Sequence, residues 1–260
     1  MKNKIVLILF ALFISKAMLA QNLNQYEKHL YIHKGDTLPY RLLLPLNYNP
    51  GKIYPMILFL HGSGERGNNN EAQLIHGGNF FLEDSIRQKY PAIIVFPQCS
   101  ALDSWINKTD TYDSTGKRIV VFNTAAKPTK ALRLLEKLVK FLIFEYPITK
   151  RQLYVGGLSL GGMGTYEIVR MEPGLFVAAF PICGADDVSI VPKLKNVHWW
   201  IFHGRKDETV NVKYSEAMAD ALQKFKVPVK LTIYPEAGHN SWDNVFAEPG
   251  LMEWLFSNKK

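Results

Sequence analysis

The stretch YVGGLSLGGMGTYEI, residues 154–168, places one serine between two pairs of glycines. An apolar run at residues 153–155 predicts a buried strand before the serine, and the residues after it predict a helix. A serine on a sharp strand-to-helix turn takes a strained backbone conformation, and neighbours without a Cβ leave room for it. The pattern predicts an exposed nucleophile at Ser159, although by itself it leaves a flexible glycine-rich loop equally open.

Apolar runs bounded by turn residues alternate with longer helical patterns along the rest of the chain. This alternation predicts an α/β fold, with a mostly parallel central sheet of about eight strands and helices on both faces. The predicted central strands lie at residues 56–60, 92–96, 153–155, 177–182, 198–202 and 230–234, and HLYIH with LPYRLLLP predicts an antiparallel edge pair. The clearest helical periods cover residues 129–146, 214–225 and 251–256. Residues 100–127 show no sustained period, which is typical of a functional loop or a mobile one.

Length and composition indicate one globular domain behind a targeting segment. The chain has 260 residues, of which 47% are hydrophobic and 21% charged. Lys2 and Lys4 precede an uncharged run at residues 5–14, which is too short to span a bilayer of ~30 Å. We therefore predict a signal peptide at residues 1–20 and a single catalytic domain at residues 21–260. An uncleaved anchor or a buried N-terminal helix is the alternative.

The charge pattern and the predicted export restrict the kinds of partner that we expect. Three of the lysines behind the net charge of +8 lie in the predicted signal peptide, and those that remain are scattered along the chain. A scattered pattern indicates a solvated surface, so we expect no nucleic-acid partner. The signal peptide predicts a periplasmic or extracellular protein with no stable membrane association after cleavage. The sequence does not predict the oligomeric state.

A serine needs a general base and an orienting acid. The segment PEAGHNSW places His239 in a turn after the last predicted strand, and it is the last histidine of the chain. Asp207 follows the penultimate strand and precedes His239, as the order serine, acid, histidine requires. Glu208 is a close rival for the acid, and Asp186 with Asp187 is a weaker alternative. A helix cap is the structural reading of Asp207.

An oxyanion site needs two N–H donors. The N–H of Leu160, at the helix start, is the first, and the helix dipole there favours negative charge. The segment LFLHGSGERG ends an early strand in a glycine-rich loop, where Ser63 or Gly64 would supply the second N–H. We expect His61 to brace this loop. These elements at strand ends, in the right order, favour catalysis over a flexible loop at Ser159.

Seven segments together resemble the α/β-hydrolase superfamily, and within it the bacterial carboxylesterases grouped with dienelactone hydrolase-like, polyhydroxybutyrate depolymerase-like and feruloyl esterases. They are PYRLLLP, YPMILFLHGSGERG, VFPQC, GGLSLGGMGTYEI, PICGADD, IFHGRKDETV and GHNSW. The resemblance implies the triad Ser159, Asp207 and His239, and a substrate cleft lined by loops that hold Gln98, Trp105 and Trp242. Dienelactone hydrolases use a cysteine nucleophile, so the serine here favours ester hydrolysis.

The resemblance also bears on the two cysteines. In the implied sheet order Cys99 and Cys183 follow strands separated by two others, which puts their backbones on the order of 14 Å apart. A disulfide requires Cα atoms within ~7 Å, so we predict two free thiols.

The function expected from these observations is that of an exported serine esterase that needs no metal or cofactor. Its substrate would be a small-molecule or polysaccharide-linked ester, such as the acetyl or feruloyl groups of plant polysaccharide. A peptidase of the prolyl oligopeptidase type, a lysophospholipase or thioesterase, and a non-catalytic binding protein with a hydrolase fold stay open as alternatives.

Overall fold

The structure is a computed structural model, and it describes residues 23–116 and 118–260. The predicted signal peptide lies outside the described residues. Within them, a central sheet of eight strands runs in the order β1-β2-β4-β3-β7-β8-β9-β10, and a separate pair β5-β6 forms a hairpin. The strands are β1 Glu27–His33, β2 Asp36–Leu43, β3 Tyr54–Leu60, β4 Ile93–Pro97, β5 Lys108–Tyr112, β6 Arg118–Phe122, β7 Ile148–Leu158, β8 Ala178–Ile182, β9 His198–Gly204 and β10 Val229–Tyr234.

The sheet is parallel from β4 to β10 in sheet order, and β1 and β2 form the predicted antiparallel edge. Its helices are α1 Gly78–Leu82, α2 Asp84–Lys89, α3 Lys130–Glu145, α4 Leu160–Met171, α5 Lys213–Lys224, α6 Trp242–Phe246 and α7 Leu251–Ser257. The predicted α/β-hydrolase architecture is confirmed. Because the parallel strands all end at one edge, the turns after β3, β7, β8, β9 and β10 converge there.

Alternating side chains of β3 show how the two faces are covered. Met56, Leu58 and Leu60 lie in a core shared with α3, α4 and α5. Ile57 and Phe59 point the other way, into a second core that includes side chains of α1, α6 and α7. Both faces of a central strand are thus buried, which explains why its sequence is apolar without a period of two.

Residues 100–127 contain an ordered hairpin that sequence periodicity does not reveal. β5 pairs with β6 in antiparallel register, and Arg118 Nη1 donates to Thr209 O over 3.1 Å. The Tyr214 hydroxyl accepts from the N–H of Val120 at 3.2 Å, and its ring meets Phe122 edge-on. The hairpin therefore packs on the start of α5 and on the loop after β9. The threonines of β5 are exposed, so they give no hydrophobic alternation.

The strand β7 is longer than predicted, because it begins at Ile148, which pairs with Tyr54 of β3. The register against β3 then shifts, so that Met56 pairs with Leu153, and residues 149–152 are the additional residues of this irregularity. Both cysteines are buried free thiols, as predicted. Cys99 follows β4 and Cys183 follows β8, with β3 and β7 between them in the sheet. In the described part of the chain, no helix combines the length and hydropathy that a membrane crossing needs.

Candidate active site

Ser159 occupies a strained turn between β7 and α4. Its φ of 53° and ψ of −115° lie outside the regions that non-glycine residues ordinarily adopt, and such strain costs about 1–3 kcal/mol. Its N–H donates to Ile182 O at 2.9 Å, and its carbonyl accepts from Met163 N–H at 3.0 Å, so β8 and α4 both hold the turn. The Oγ atom is left at the edge of the sheet, on a side chain that is only partly buried.

The glycine at position 161 brings this turn close to β3. A Cβ on Gly161 would lie 2.0 Å from the carbonyl oxygen of Leu60 and 2.7 Å from that of His61, so no side chain fits. The N-terminus of α4 can therefore pack directly on the end of β3. This close approach places Ser159 next to the loop that follows β3.

His239 and Asp207 complete a continuous hydrogen-bond chain. His239 Nε2 lies 2.9 Å from Ser159 Oγ, and His239 Nδ1 lies 2.7 Å from Asp207 Oδ2. A carboxylate accepts only, so Nδ1 carries the ring proton and Nε2 is left to accept from the serine hydroxyl. The three sequence-predicted residues thus come together in the geometry of a general base that is oriented by an acid.

The side chain of Asp207 is fully buried and well supplied with donors. Its Oδ1 accepts from Thr209 N–H and Val210 N–H, each at 2.8 Å. Burial by itself would raise the pKa of this carboxyl, but hydrogen bonds from His203, His239 and Val210 outweigh burial and hold the pKa below its usual range. The carboxylate of Asp207 therefore stays ionised while it orients His239.

His203 is a buried neighbour of Asp207 that the sequence patterns did not reveal. Its ring is fully buried, with Nε2 at 2.9 Å from Val210 O and 3.1 Å from Asp207 Oδ2. Both of these oxygens are acceptors, so Nε2 must carry a proton. Nδ1 lies 2.7 Å from Ser215 Oγ, which fixes the ring from its other side. The spacing of a histidine four residues before the acid, in HGRKD, was the signal available in the sequence.

The rival acids do not reach His239. Glu208 is exposed on the surface. Asp186 is buried, and its Oδ1 accepts from Asp187 N–H at 2.7 Å, while its Oδ2 has no hydrogen-bond partner among the described residues. Burial, reinforced by the charge of Glu167, raises the pKa of Asp186 well above its usual range, which is the opposite of what an orienting carboxylate needs.

The loop after β3 is held in a single orientation by His61. Its Nε2 accepts from the N–H of Cys99 at 2.9 Å, so Nδ1 must be the protonated nitrogen that donates to Gly62 O at 2.6 Å. Burial lowers the pKa of His61 to about 4, which keeps this tautomer neutral. In a trans peptide the N–H points opposite to the C=O, so holding Gly62 O also aims the N–H of Ser63.

This peptide lies beside the nucleophile. The position that a Cβ on Gly62 would occupy is only 3.6 Å from Ser159 Cβ. The first N–H groups of a helix have no acceptor within the helix, and this applies to Leu160 at the start of α4 and to Ser63 and Gly64 at the start of the 3-10 turn Ser63–Glu65. Of the two candidates, the N–H of Ser63 is better placed than that of Gly64 to form an oxyanion site together with the N–H of Leu160.

The three residues expected to line the cleft have different surroundings. Gln98 has no exposed surface; its Nε2 donates to Glu65 O and Asn69 Oδ1, and its Oε1 accepts from Asn70 N–H. Trp105 also has no exposed surface. Both side chains therefore lie too deep to touch a substrate, and the prediction for them is corrected: they hold loops in place.

Trp105 packs its ring edge-on against His61 with centroids 5.4 Å apart, so it supports the same loop from beneath. Trp242 differs from the other two because it is only partly buried. It meets the ring of His239 at 5.6 Å in a T-shaped contact. Of the three, Trp242 is the one whose position beside His239 suits contact with a substrate.

One set of described residues is compact enough to be compared with a metal site. Ligand atoms of Cys183, Asp207 and His239 all lie within 4.8 Å of one another. Asp207 and His239 use their facing atoms on each other, and burial raises the pKa of the Cys183 thiol, so that sulfur keeps its proton. Because Asp207 and His239 already bond to each other, the arrangement fits a hydrogen-bonded triad.

The chain is similar to known proteins in sequence and in structure. The family model described as phospholipase/carboxylesterase matches residues 50–248. A thermostable esterase is 30% identical with a TM-score of 0.82 over 92% of this chain, and the chain covers 64% of that protein, less than two thirds of its length. No curated protein matches the chain.

Two more distant structures share the fold. A ferulic acid esterase from the anaerobic fungus Anaeromyces mucronatus is 16% identical, with a TM-score of 0.64 and 90% of each chain covered. An acylaminoacyl peptidase is 16% identical, with a TM-score of 0.59 over 90% of this chain and 41% of the peptidase. The match to the family model extends from before β3 to beyond His239 and includes every residue of the triad geometry. The chain therefore belongs to the phospholipase/carboxylesterase family of α/β-hydrolases.

Proposed function

We propose that the protein is a serine carboxylesterase that works through Ser159, His239 and Asp207. The observation that carries the proposal is the unbroken chain of hydrogen bonds, 2.9 Å from Ser159 Oγ to His239 Nε2 and 2.7 Å from His239 Nδ1 to Asp207 Oδ2. A serine is inert without a base, and these hydrogen bonds hold His239 as the base in the required tautomer.

In the proposed reaction His239 Nε2 takes the proton of Ser159 as its Oγ attacks the ester carbonyl carbon. The oxyanion that forms accepts hydrogen bonds from the N–H groups of Leu160 and Ser63. His239 then passes its proton to the leaving alcohol, which gives an acyl-serine. Water, deprotonated by the same imidazole, attacks the acyl group, and the carboxylic acid leaves as the proton returns to Ser159. Asp207 stays ionised throughout and stabilises the imidazolium.

We further propose that the enzyme is exported and that its substrates are acyl groups on external material such as plant polysaccharide. The basic and apolar pattern of residues 1–20 supports export. The fold shared with a ferulic acid esterase is compatible with such a substrate. A peptidase function is the second candidate, because the fold is also shared with an acylaminoacyl peptidase.

The test is a substrate panel on purified protein that lacks residues 1–20. It comprises p-nitrophenyl esters of short and long acids, methyl ferulate, acetylated xylan and a proline peptide amide. The proposal expects ester hydrolysis that disappears in Ser159→Ala, while Glu208→Gln, which removes an exposed charge near the acid, retains it. Hydrolysis that survives in Ser159→Ala contradicts the mechanism, and a preference for the peptide amide contradicts the substrate class.

A further inference from the structure

The carboxylate of Glu65 lies beside the nucleophile and has no hydrogen-bond donor among the described residues. A Cβ on Gly62 would be 2.9 Å from Glu65 Oε2 and 3.6 Å from Ser159 Cβ, so the carboxylate and the nucleophile flank the same point. The side chain is 13% exposed. Among the described residues no hydrogen-bond donor reaches its oxygens, and the nearest basic group is His76 Nε2 at 3.7 Å. A largely buried carboxylate without a donor favours any cation or donor that a ligand brings to it.

The neighbouring arginine does not pair with this carboxylate. Arg66 follows Glu65 directly, yet its Nε donates to Ser63 O and its Nη1 donates to Asp103 O. Its guanidinium is thus engaged with main-chain carbonyl groups. The negative charge of Glu65 is therefore available on the side of the loop that faces Ser159.

Aromatic rings connect Glu65 to the catalytic base. The rings of His76 and Trp242 lie 4.9 Å apart, and Trp242 meets His239 at 5.6 Å. We call Glu65, His76 and Trp242 the acidic wall. Gly77 keeps the wall together: its φ is 90°, and a Cβ there would lie 2.7 Å from the ring of Phe246 in α6. Only glycine allows the loop of His76 to pack so closely on the helix that carries Trp242.

The position of the wall assigns it to one side of the substrate. In the proposed reaction His239 gives its proton to the oxygen of the leaving alcohol, so groups that contact His239 flank the alcohol part of the ester. A carboxylate combined with aromatic rings is the set of groups that favours an ammonium ion. We propose that the acidic wall is an alcohol-side subsite that selects esters with a positively charged alcohol group over neutral ones of the same shape, with Glu65 as the residue that sets this preference.

This inference rests on the proposed esterase function, so the experiment separates the two. Acetylcholine and 3,3-dimethylbutyl acetate have the same shape, since a carbon replaces the nitrogen, and they differ by one charge. Hydrolysis of the neutral ester, lost in Ser159→Ala, tests the proposed function alone. The ratio of kcat/KM for the two esters tests the acidic wall. We expect the wild-type protein to favour acetylcholine about tenfold, and this ratio to fall to about 1 in Glu65→Gln.

The matched control is Glu71→Gln. It removes the same charge from the same segment, but Glu71 is exposed and pairs with Lys28 at 2.6 Å, outside the wall. We expect it to keep the wild-type ratio. The preference should also weaken as the salt concentration rises, because a partly exposed charge is screened, whereas a purely structural effect of Glu65 would not depend on salt.

Product inhibition gives a second measurement that does not depend on the chemical step. Choline should inhibit the wild-type protein about ten times more strongly than 3,3-dimethylbutanol, and Glu65→Gln should remove this difference. The inference is overturned if the wild-type protein hydrolyses both esters equally well while remaining active. It is also overturned if Glu65→Gln, folded and active on the neutral ester, keeps the preference for the charged one.

Discussion

Asp207 lies beside His239 and Glu65 lies near Ser159, and the surroundings of these two carboxylates are opposite. Asp207 is fully buried and accepts from two main-chain N–H groups, while His203 and His239 face its second oxygen. Glu65 keeps 13% of its side chain exposed and has no hydrogen-bond donor among the described residues. Burial of a charge therefore does not define its role. A carboxylate whose lone pairs are occupied orients the protein's own groups, and one without donors is available to a ligand.

The largest effect is expected for Asp207→Asn. An amide facing His239 Nδ1 can donate to it, which favours the wrong tautomer and removes the charge that stabilises the imidazolium. We expect kcat for a p-nitrophenyl ester to fall by about 10⁴-fold, the size of the loss for the corresponding change in a serine protease triad, with the fold retained. Glu208→Gln is the control for charge. A fall of less than tenfold in Asp207→Asn would move the orienting role elsewhere.

The next effect concerns His61, which holds the loop that carries Ser63 and Glu65. Its pKa in the folded state is about 4, below the ~6.5 of an unfolded chain, so the unfolded state binds a proton that the folded state does not. Stability is complete above pH 6.5 and declines as the pH falls toward 4, by roughly 3 kcal/mol from this residue. Urea unfolding across this range should show a smaller decline in His61→Gln. Parallel declines in the two proteins would contradict the assignment.

A smaller effect tests the backbone strain at Ser159. At Ser159 the backbone conformation suits glycine, whereas at Ser241 it is right-handed helical, with φ −60° and ψ −11°. We expect Ser159→Gly to be more stable than Ser159→Ala by about 1 kcal/mol, and the order to reverse at Ser241. Thermal or urea unfolding of the four variants measures this. If alanine is the more stable replacement at both positions, the turn at Ser159 is not strained.

The smallest effect is expected for Glu65→Gln on a neutral ester. The substrate then offers no charge to the acidic wall, and the contribution of a partly exposed charge is small, so kcat/KM should change by less than about threefold. The contrast with Asp207→Asn on the same ester sharpens the comparison. A loss of a hundredfold or more in Glu65→Gln would mean that Glu65 belongs to the machinery of the reaction rather than to a subsite.

The fold and the triad geometry were accessible from the sequence for physical reasons. Buried parallel strands are apolar runs, and the Ser159 turn, Asp207 and His239 follow such runs in the order serine, acid, histidine. The hairpin β5-β6 was not accessible, because its strands are short and mostly exposed. The first part of β7 was also missed, because residues 149–152 are polar and lie where the register against β3 shifts.

The side chains that hold the site in place could not be predicted, because their roles depend on contacts between residues far apart in the sequence. His61 receives its hydrogen bond from the N–H of Cys99, and His203 reaches Ser215 in α5. Gln98 and Trp105 follow the end of β4, where the resemblance implies a cleft, yet both are buried. The acidic wall likewise joins Glu65 and His76 to Trp242, which is more than 150 residues away along the chain. Sequence spacing indicates which strand ends meet, but not the depth of each side chain.

The measurement that tests the central claim most directly is covalent labelling with a fluorophosphonate followed by peptide mass spectrometry. The reagent phosphonylates a serine only when a base activates its hydroxyl. The account predicts one adduct, on Ser159, which disappears in Ser159→Ala and forms far more slowly in His239→Ala. A folded protein that stays unlabelled, or that carries the adduct on a different residue, would contradict it.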